Sequence, residues 1–293
     1  MSIATYAPVL DAVRGIGWPA LRRVRSAVPG PHLSVVRGST AEFVEYRPYR
    51  QGDDPRTIDW KLVGRTDRVY VRVSQERAVL PTMLLLDATA SLAFPVSTNA
   101  KWELARRVAI GLAAVARHRG DPVGLALAHP GGARTIAPRT RRTVLDEMMH
   151  ALDLAPAGDA PLAPVATDAM RRSARVAIVS DFLGDADALR AAAATFAAAG
   201  GELYVVHIVD AGELDPDPRR LLLTDPEQPG LRRPMSPPAR VTYLRQFTAW
   251  RERLARDWRA LGAVYVMLVT GAEPLRRSIR RITNPEVAAR PAG

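Results

Sequence analysis

The sequence predicts an α/β protein: a doubly wound, mostly parallel sheet with helices on both faces, preceded by a small β-rich segment. Three observations carry this expectation. From residue 81 onward, short apolar runs alternate with longer stretches of helical periodicity, the pattern left by strand–helix–strand crossovers. Runs such as Thr82-Met-Leu-Leu-Leu-Asp87 and Val176-Ala-Ile-Val179 are apolar nearly throughout, as strands covered on both faces require. Residues 33–80 behave differently: Arg68-Val-Tyr-Val-Arg-Val73 alternates apolar and polar positions, which suits exposed or partly covered strands.

Taken in order, residues 1–31 form a weakly patterned lead segment that ends in Val28-Pro-Gly-Pro31, a sequence that interrupts regular structure. Residues 32–80 form a β-rich cassette with a turn at Gly52-Asp-Asp-Pro55. The main α/β domain covers residues 81–285. Its first strand ends at Asp87. The best helix spans residues 101–118, where Trp102, Ala105, Ala109, Leu112 and Ala116 share one face. Thr98 or Asn99 stands where a cap belongs, and Gly120-Asp-Pro122 ends the helix. Residues 123–127 read as the second strand. A basic segment follows, then helices over 141–152 and 161–170. Residues 176–179 form a strand ending at Ser180-Asp181, with a helix over 186–198 and a strand over 203–209. Residues 211–240, rich in Pro, Gly and Asp, read as an excursion. A helix over 242–261, a strand over 264–269 and a helix over 273–281 close the domain.

Composition narrows the function classes. The formal charge is +11, yet only two of the 41 basic residues, Lys61 and Lys101, are lysines. The arginine clusters are scattered and lack the aromatic interleaving of single-strand binders, so a compositional bias explains them better than a nucleic-acid surface. No apolar run approaches the roughly 18 residues of a membrane span. The opening Met1-Ser-Ile-Ala-Thr-Tyr-Ala-Pro8 has no basic stretch followed by an apolar core, so no signal peptide is expected. Cysteine is absent, which excludes disulfides, thiolate metal sites and cysteine nucleophiles and agrees with a cytoplasmic location.

The chemistry gathers at two strand ends. Asp87, Thr89 and Ser91 sit at alternate positions just past the first apolar run, and alternate side chains of an extended segment turn the same way. Ligands of open parallel sheets bind at that end of the strands. Clustered carboxylate and hydroxyl oxygens suit a hard divalent cation such as Mg2+; a turn rich in small residues is the other reading. Asp181 occupies the corresponding end of a later strand. The topological switch point can bring it beside Asp87, as a metal ligand or a hydrogen-bond acceptor for metal-bound water. Its alternative role is to cap the segment that follows.

These residues resemble the von Willebrand factor A-like fold, whose metal-ion-dependent adhesion motif is Asp-x-Ser/Thr-x-Ser, then a threonine on a second loop and an aspartate on a third. The resemblance implies metal ligation by Asp87, Thr89, Ser91 and Asp181. In the second loop, Ala157-Gly-Asp-Ala-Pro-Leu162, the threonine position falls on Ala160, which has no oxygen to offer, so the site is incomplete. Asp159 and Thr167 are nearby oxygen-bearing residues out of register. A longer likeness runs from about residue 32 to residue 281. It includes Gly38-Ser-Thr-Ala-Glu-Phe43, Arg47-Pro-Tyr49, Gly52-Asp-Asp-Pro-Arg56, Ile58-Asp-Trp60, Arg65-Thr66, Tyr70-Val71, Glu76, Ser180-Asp-Phe182 and Asp225-Pro-Glu227. In these the chain is similar to the uncharacterised bacterial MoxR-associated family (domain of unknown function fifty-eight), which joins such a cassette to a von Willebrand A-like domain.

Within the cassette, Arg47, Arg56 and Arg65 suit bidentate pairs with Asp53, Asp54, Asp59 or Glu76, a scaffold more than a catalytic pattern. Trp60 and Tyr49 add large apolar surfaces with polar edges. Enzyme signatures are missing: there is no Gly-x-x-x-x-Gly-Lys-Ser/Thr, no Gly-x-Gly-x-x-Gly after a strand and no Gly-x-Ser-x-Gly. His32, His118, His129, His150 and His207 show no zinc-site spacing. The expectation is a non-catalytic cytoplasmic interaction or adaptor module. The resemblance implies that it works with a MoxR-type AAA+ ATPase or its client in complex assembly or maturation, through a degenerate Mg2+ site. The alternative is a metal-dependent phosphohydrolase.

Overall fold

The computed structural model describes residues 6–21, 29–33, 42–51, 53, 55–66, 68–75, 77–184, 186–217, 222–224, 232–234 and 236–284. The chain divides into two compact units, one of residues Ala20–Leu80 and one that joins Met1–Pro19 to Pro81–Gly293. In the larger unit, helix α1 (Ala7–Ala12) opens the described chain.

The smaller unit holds two antiparallel pairs. Strand β1 (Pro29–Leu33) pairs with β4 (Arg77–Ala78), and β2 (Glu42–Pro48) pairs with β3 (Tyr70–Gln75). Helix α2 (Trp60–Thr66) lies between β2 and β3. Asp59 caps α2 by accepting the backbone N–H groups of Lys61 and Leu62 at 3.0 and 3.1 Å, and it also accepts the Tyr46 hydroxyl at 2.7 Å. The Arg47 guanidinium makes the expected bidentate pair, with Asp53, at 2.7 and 2.6 Å. Asp54 and Glu76 lie outside the described residues, as do Gly52, residues 34–41 and the Asp225-Pro-Glu227 segment. Trp60 is 68% exposed.

The larger unit is built on β5 (Thr82–Asp87), α3 (Ala100–His118), β6 (Val123–Ala128), β7 (Arg134–Arg139), α4 (Val144–Ala151), α5 (Leu162–Arg171), β8 (Arg175–Ser180), α6 (Ala186–Ala198) and β9 (Glu202–Val209). Then come the short α7 (Ala211–Leu214), the hairpin β10 (Leu222–Thr224) and β11 (Arg232–Pro234), α8 (Pro237–Ala260), β12 (Val264–Val269) and α9 (Leu275–Thr283). The main sheet has the order β12-β9-β8-β5-β6-β7, with every neighbouring pair parallel except β6 with β7. From β5 the chain moves outward to β6 and β7, then returns to β8 and proceeds the other way. The switch point therefore falls between β5 and β8.

Alternation along β5 shows why the apolar runs are continuous. Leu84 and Leu86 pack into the layer that holds α1, α3, α4 and α9, while Met83 and Leu85 face the layer of α5, α6 and α8. This is the doubly wound architecture expected from the sequence.

Three local features depart from the sequence reading. Residues 6–19, expected within a lead segment, belong to the core: Tyr6, Val9, Val13, Ile16 and Trp18 are buried in the first helical layer. The Arg175 guanidinium sits 4.4 Å from the Trp18 ring centroid and donates to the Pro19 carbonyl at 3.0 Å. The basic segment after β6 is strand β7, an edge strand with largely solvated side chains and a proline, so its composition carries no buried-strand signature. Gly124 permits its close approach, since a Cβ there would lie 2.4 Å from the Ile136 carbonyl oxygen. Finally, Asn99 stands at the start of α3 but makes no side-chain cap. It adopts a left-handed φ of 50°, which asparagine tolerates better than most residues. Among the described residues no helix is long and apolar enough to cross a membrane.

Candidate functional site

Strands β5 and β8 run parallel and in register to Leu86 opposite Val179, so their next residues emerge at one edge of the sheet. There the Ser180 hydroxyl donates to Asp87 Oδ2 at 2.8 Å and accepts the Phe182 backbone N–H at 2.8 Å. The Thr89 backbone N–H donates to Asp87 Oδ1 at 3.0 Å, and Thr89 Oγ1 lies 3.1 Å from Ser91 Oγ. Two backbone bonds tie this loop to the segment before α5, from Ala157 to the Ala88 carbonyl and from Ala90 to the Gly158 carbonyl. Asp87, Thr89 and Ser91 are all buried. Burial pushes the Asp87 carboxyl up to about 6, the negative charge of Asp181 adds to this, and hydrogen bonds from Thr89 and Ser180 oppose it.

A cavity of about 370 Å³ opens over this floor, lined by Asp87, Thr89, Ser180, Asp159, Leu162 and Phe182 among others. Ala160 also lines it, at the place where the adhesion motif has a hydroxyl. Asp159 reaches the cavity, whereas the Thr167 hydroxyl is turned onto its own helix and donates to the Ala163 carbonyl.

Asp181 is near enough to raise Asp87 and is itself engaged by a lysine. Its Oδ1 accepts the Leu183 backbone N–H at 3.3 Å, and its Oδ2 lies 2.6 Å from Lys101 Nζ. Lys101, 0% exposed, also donates to Glu213 Oε1 at 2.9 Å. Glu213 is fixed in turn by a reciprocal capping box at the start of α7, accepting the Asp210 backbone N–H at 2.7 Å. Asp210 Oδ2 receives the Thr270 hydroxyl at 2.5 Å. Burial alone would lower the Lys101 ammonium, but the charges of Asp181 and Glu213 outweigh it and hold the group above its ordinary value.

The turn after β8 makes this arrangement possible. Phe182 has a φ of 58°, a left-handed conformation that costs an aromatic residue energy and persists only where its surroundings enforce it. Its ring packs against His207 at 5.8 Å and Trp258 at 5.7 Å between centroids. His207 Nδ1 lies 2.6 Å from the Tyr265 hydroxyl. Burial drives His207 down to about 3, helped by the positive charges of Lys101 and Arg251.

Of the four expected metal ligands, the structure gathers Asp87, Thr89 and Ser91 at one point and engages Asp181 with a lysine. As a set they fall short of a resident divalent cation. One Asp181 oxygen faces an ammonium group and the other a backbone N–H, and Ala160 contributes nothing. Asp87 is engaged by neutral donors, the Ser180 hydroxyl and the Thr89 backbone N–H. Among the described residues no group of three or more histidine and acidic side chains is placed to hold a metal. Sequence reasoning did not single out Lys101, Glu213 or His207 as a site. A signal existed for Lys101: it is a rare lysine in an arginine-rich chain, in the first turn of a helix, where a cation is disfavoured.

The uncharacterized protein Rv1480 of Mycobacterium tuberculosis is 29% identical over 282 residues, covering 93% of this chain and 88% of the relative. Among solved structures, the conserved hypothetical protein BatB from Bacteroides thetaiotaomicron is 14% identical with a TM-score of 0.45, covering 71% of this chain and 98% of that one. An aerotolerance-related membrane protein from Bacteroides fragilis is 15% identical with a TM-score of 0.44, covering 70% and 98%. The family described as protein of unknown function DUF58 matches residues 45–253, and the chain belongs to it.

Proposed function

We propose that this protein is a non-catalytic interaction module whose recognition face is the edge of the sheet around Asp87. The observation that carries this reading is the Asp87–Ser180 hydrogen bond across the switch point, at the floor of an open cavity with a mixed polar and apolar lining. Such a concave site, placed where doubly wound sheets bind ligands, offers fixed acceptors for orientation and apolar walls for affinity. In the cytoplasm of a bacterium the natural partner is a MoxR-type AAA+ ATPase or its client, with this chain acting as adaptor in assembly or maturation. The resemblance that supplies this partner also supplies Mg2+ at Asp87, Thr89, Ser91 and Asp181; recognition through the Asp87 face does not require the ion.

Affinity capture from the native cell tests the reading, comparing wild type with Asp87→Ala, each checked for folding by circular dichroism. The expected result is an AAA+ ATPase or its client held by wild type and released by the folded variant. Equal capture by both proteins would remove Asp87 from the recognition face, and the absence of any such ATPase or client would remove the proposed partner.

A further inference from the structure

We propose that Lys101 is the built-in cation of this site, so that the site is metal-independent. The inference goes beyond the adaptor reading and does not depend on which partner is bound. Three elements were needed to make the arrangement. Lys101 comes from the first turn of α3, Asp181 from the end of β8 and Glu213 from the start of α7. Their charged atoms meet at 2.6 and 2.9 Å with the lysine side chain fully removed from solvent.

Placing an ammonium group there runs against local preference. The first turn of a helix is the positive end of its dipole, and an isolated buried charge is costly unless paired and hydrogen-bonded. Two carboxylates remove that cost. The same pairing engages Asp181, the second carboxylate among the expected ligands, and leaves Asp87 alone to offer one, where Mg2+ sites use one or two.

The choice of side chain supports the same conclusion. Only two of the chain's 41 basic residues are lysines, and the other deeply buried cations among the described residues, Arg106 and Arg175, are arginines. Arginine presents a planar fork, whereas lysine presents a compact point charge with three donors around one atom. A compact cation shared between carboxylate oxygens from different elements does electrostatically what a metal ion does. It needs no uptake of an ion and cannot be removed by a chelator.

The test uses the full chain, stripped with a chelator, and follows the electron paramagnetic resonance signal of free Mn2+. Wild type is expected to leave the free signal unchanged and to keep its melting temperature with or without Mn2+ and Mg2+. Lys101→Met, which leaves Asp181 and Glu213 without their cation, is expected to deplete the free Mn2+ signal and to gain melting temperature with the ion. Adding Asp181→Asn to that variant should return both readouts to the wild-type response. Stoichiometric Mn2+ binding by wild type that Asp181→Asn abolishes would overturn the proposal, as would a folded Lys101→Met protein that binds no more Mn2+ than wild type. If Lys101→Met does not fold, the wild-type titration with its Asp181→Asn control decides the question by itself.

Discussion

Lys101 Nζ lies 2.6 Å from Asp181 Oδ2, so an aspartate whose place at a strand end suggested a metal ligand is held by a side chain of the same protein. The pair joins the first long helix to the switch point, and Glu213 extends it to the segment after β9. Stability should depend strongly on it. Lys101→Ala leaves the buried Asp181 and the partly buried Glu213 without their cation and is expected to cost about 3–5 kcal/mol, the range for breaking one side of a buried ion pair. Urea unfolding of wild type and variant measures the loss directly.

His207 gives a pH dependence with a definite sign. Its folded value is about 3, against an ordinary value near 6.5, so the folded protein holds it neutral while the unfolded chain protonates it on acidification. The contribution is fully present above about pH 6.5. Below that, stability falls by about 1.4 kcal/mol per pH unit until the folded value is approached. Lys101 and Arg251 supply the repelling charges, and Tyr265 and the Asp181 backbone supply the hydrogen bonds. His207→Gln should flatten the stability profile between pH 6 and 4 relative to wild type, as read by thermal melts across that range.

Ser180→Ala removes the bridge between the ends of β5 and β8. It deletes a donor to the buried Asp87 and an acceptor for the Phe182 N–H. The expected cost is about 1–3 kcal/mol, the range for leaving buried partners unsatisfied. Hydrogen exchange should localise the loosening to the 180–184 turn rather than to the sheet interior.

At the opposite end of β8, Trp18 lies under the Arg175 guanidinium and edge-on to Tyr204, with ring centroids 5.0 Å apart. Trp18→Ala should cost about 3–5 kcal/mol, as large aromatic deletions from a core do. Limited proteolysis should then cut the chain before residue 20 at a concentration of protease that leaves wild type intact.

A phosphoester screen with Mg2+ and Mn2+ addresses the hydrolase alternative. The expected outcome is no turnover that depends on Asp87. Reproducible hydrolysis lost in Asp87→Ala would favour the enzyme reading over the adaptor.

Much of this was legible in the sequence because periodicity records burial. Thr82–Asp87 and Arg175–Ser180 are buried along their whole length, so their composition alone announces strands covered on both faces. The same logic hides β7, whose edge position leaves its side chains in water and removes the apolar pattern that would mark it. Residues 6–19 escaped for another reason: α1 is short, and its apolar residues are defined as core only by what packs over them.

The sequence by itself determined the doubly wound sheet and placed Asp87, Thr89, Ser91 and Asp181 at strand ends, because alternation and strand polarity are local properties of the chain. Tertiary structure decided what those carboxylates face. Lys101 and Glu213 are 112 positions apart, and no local pattern states that they share one buried ion-pair network with Asp181. Only the tertiary fold brings the start of α3, the end of β8 and the start of α7 together, so that a buried lysine can pair with carboxylates from two other elements.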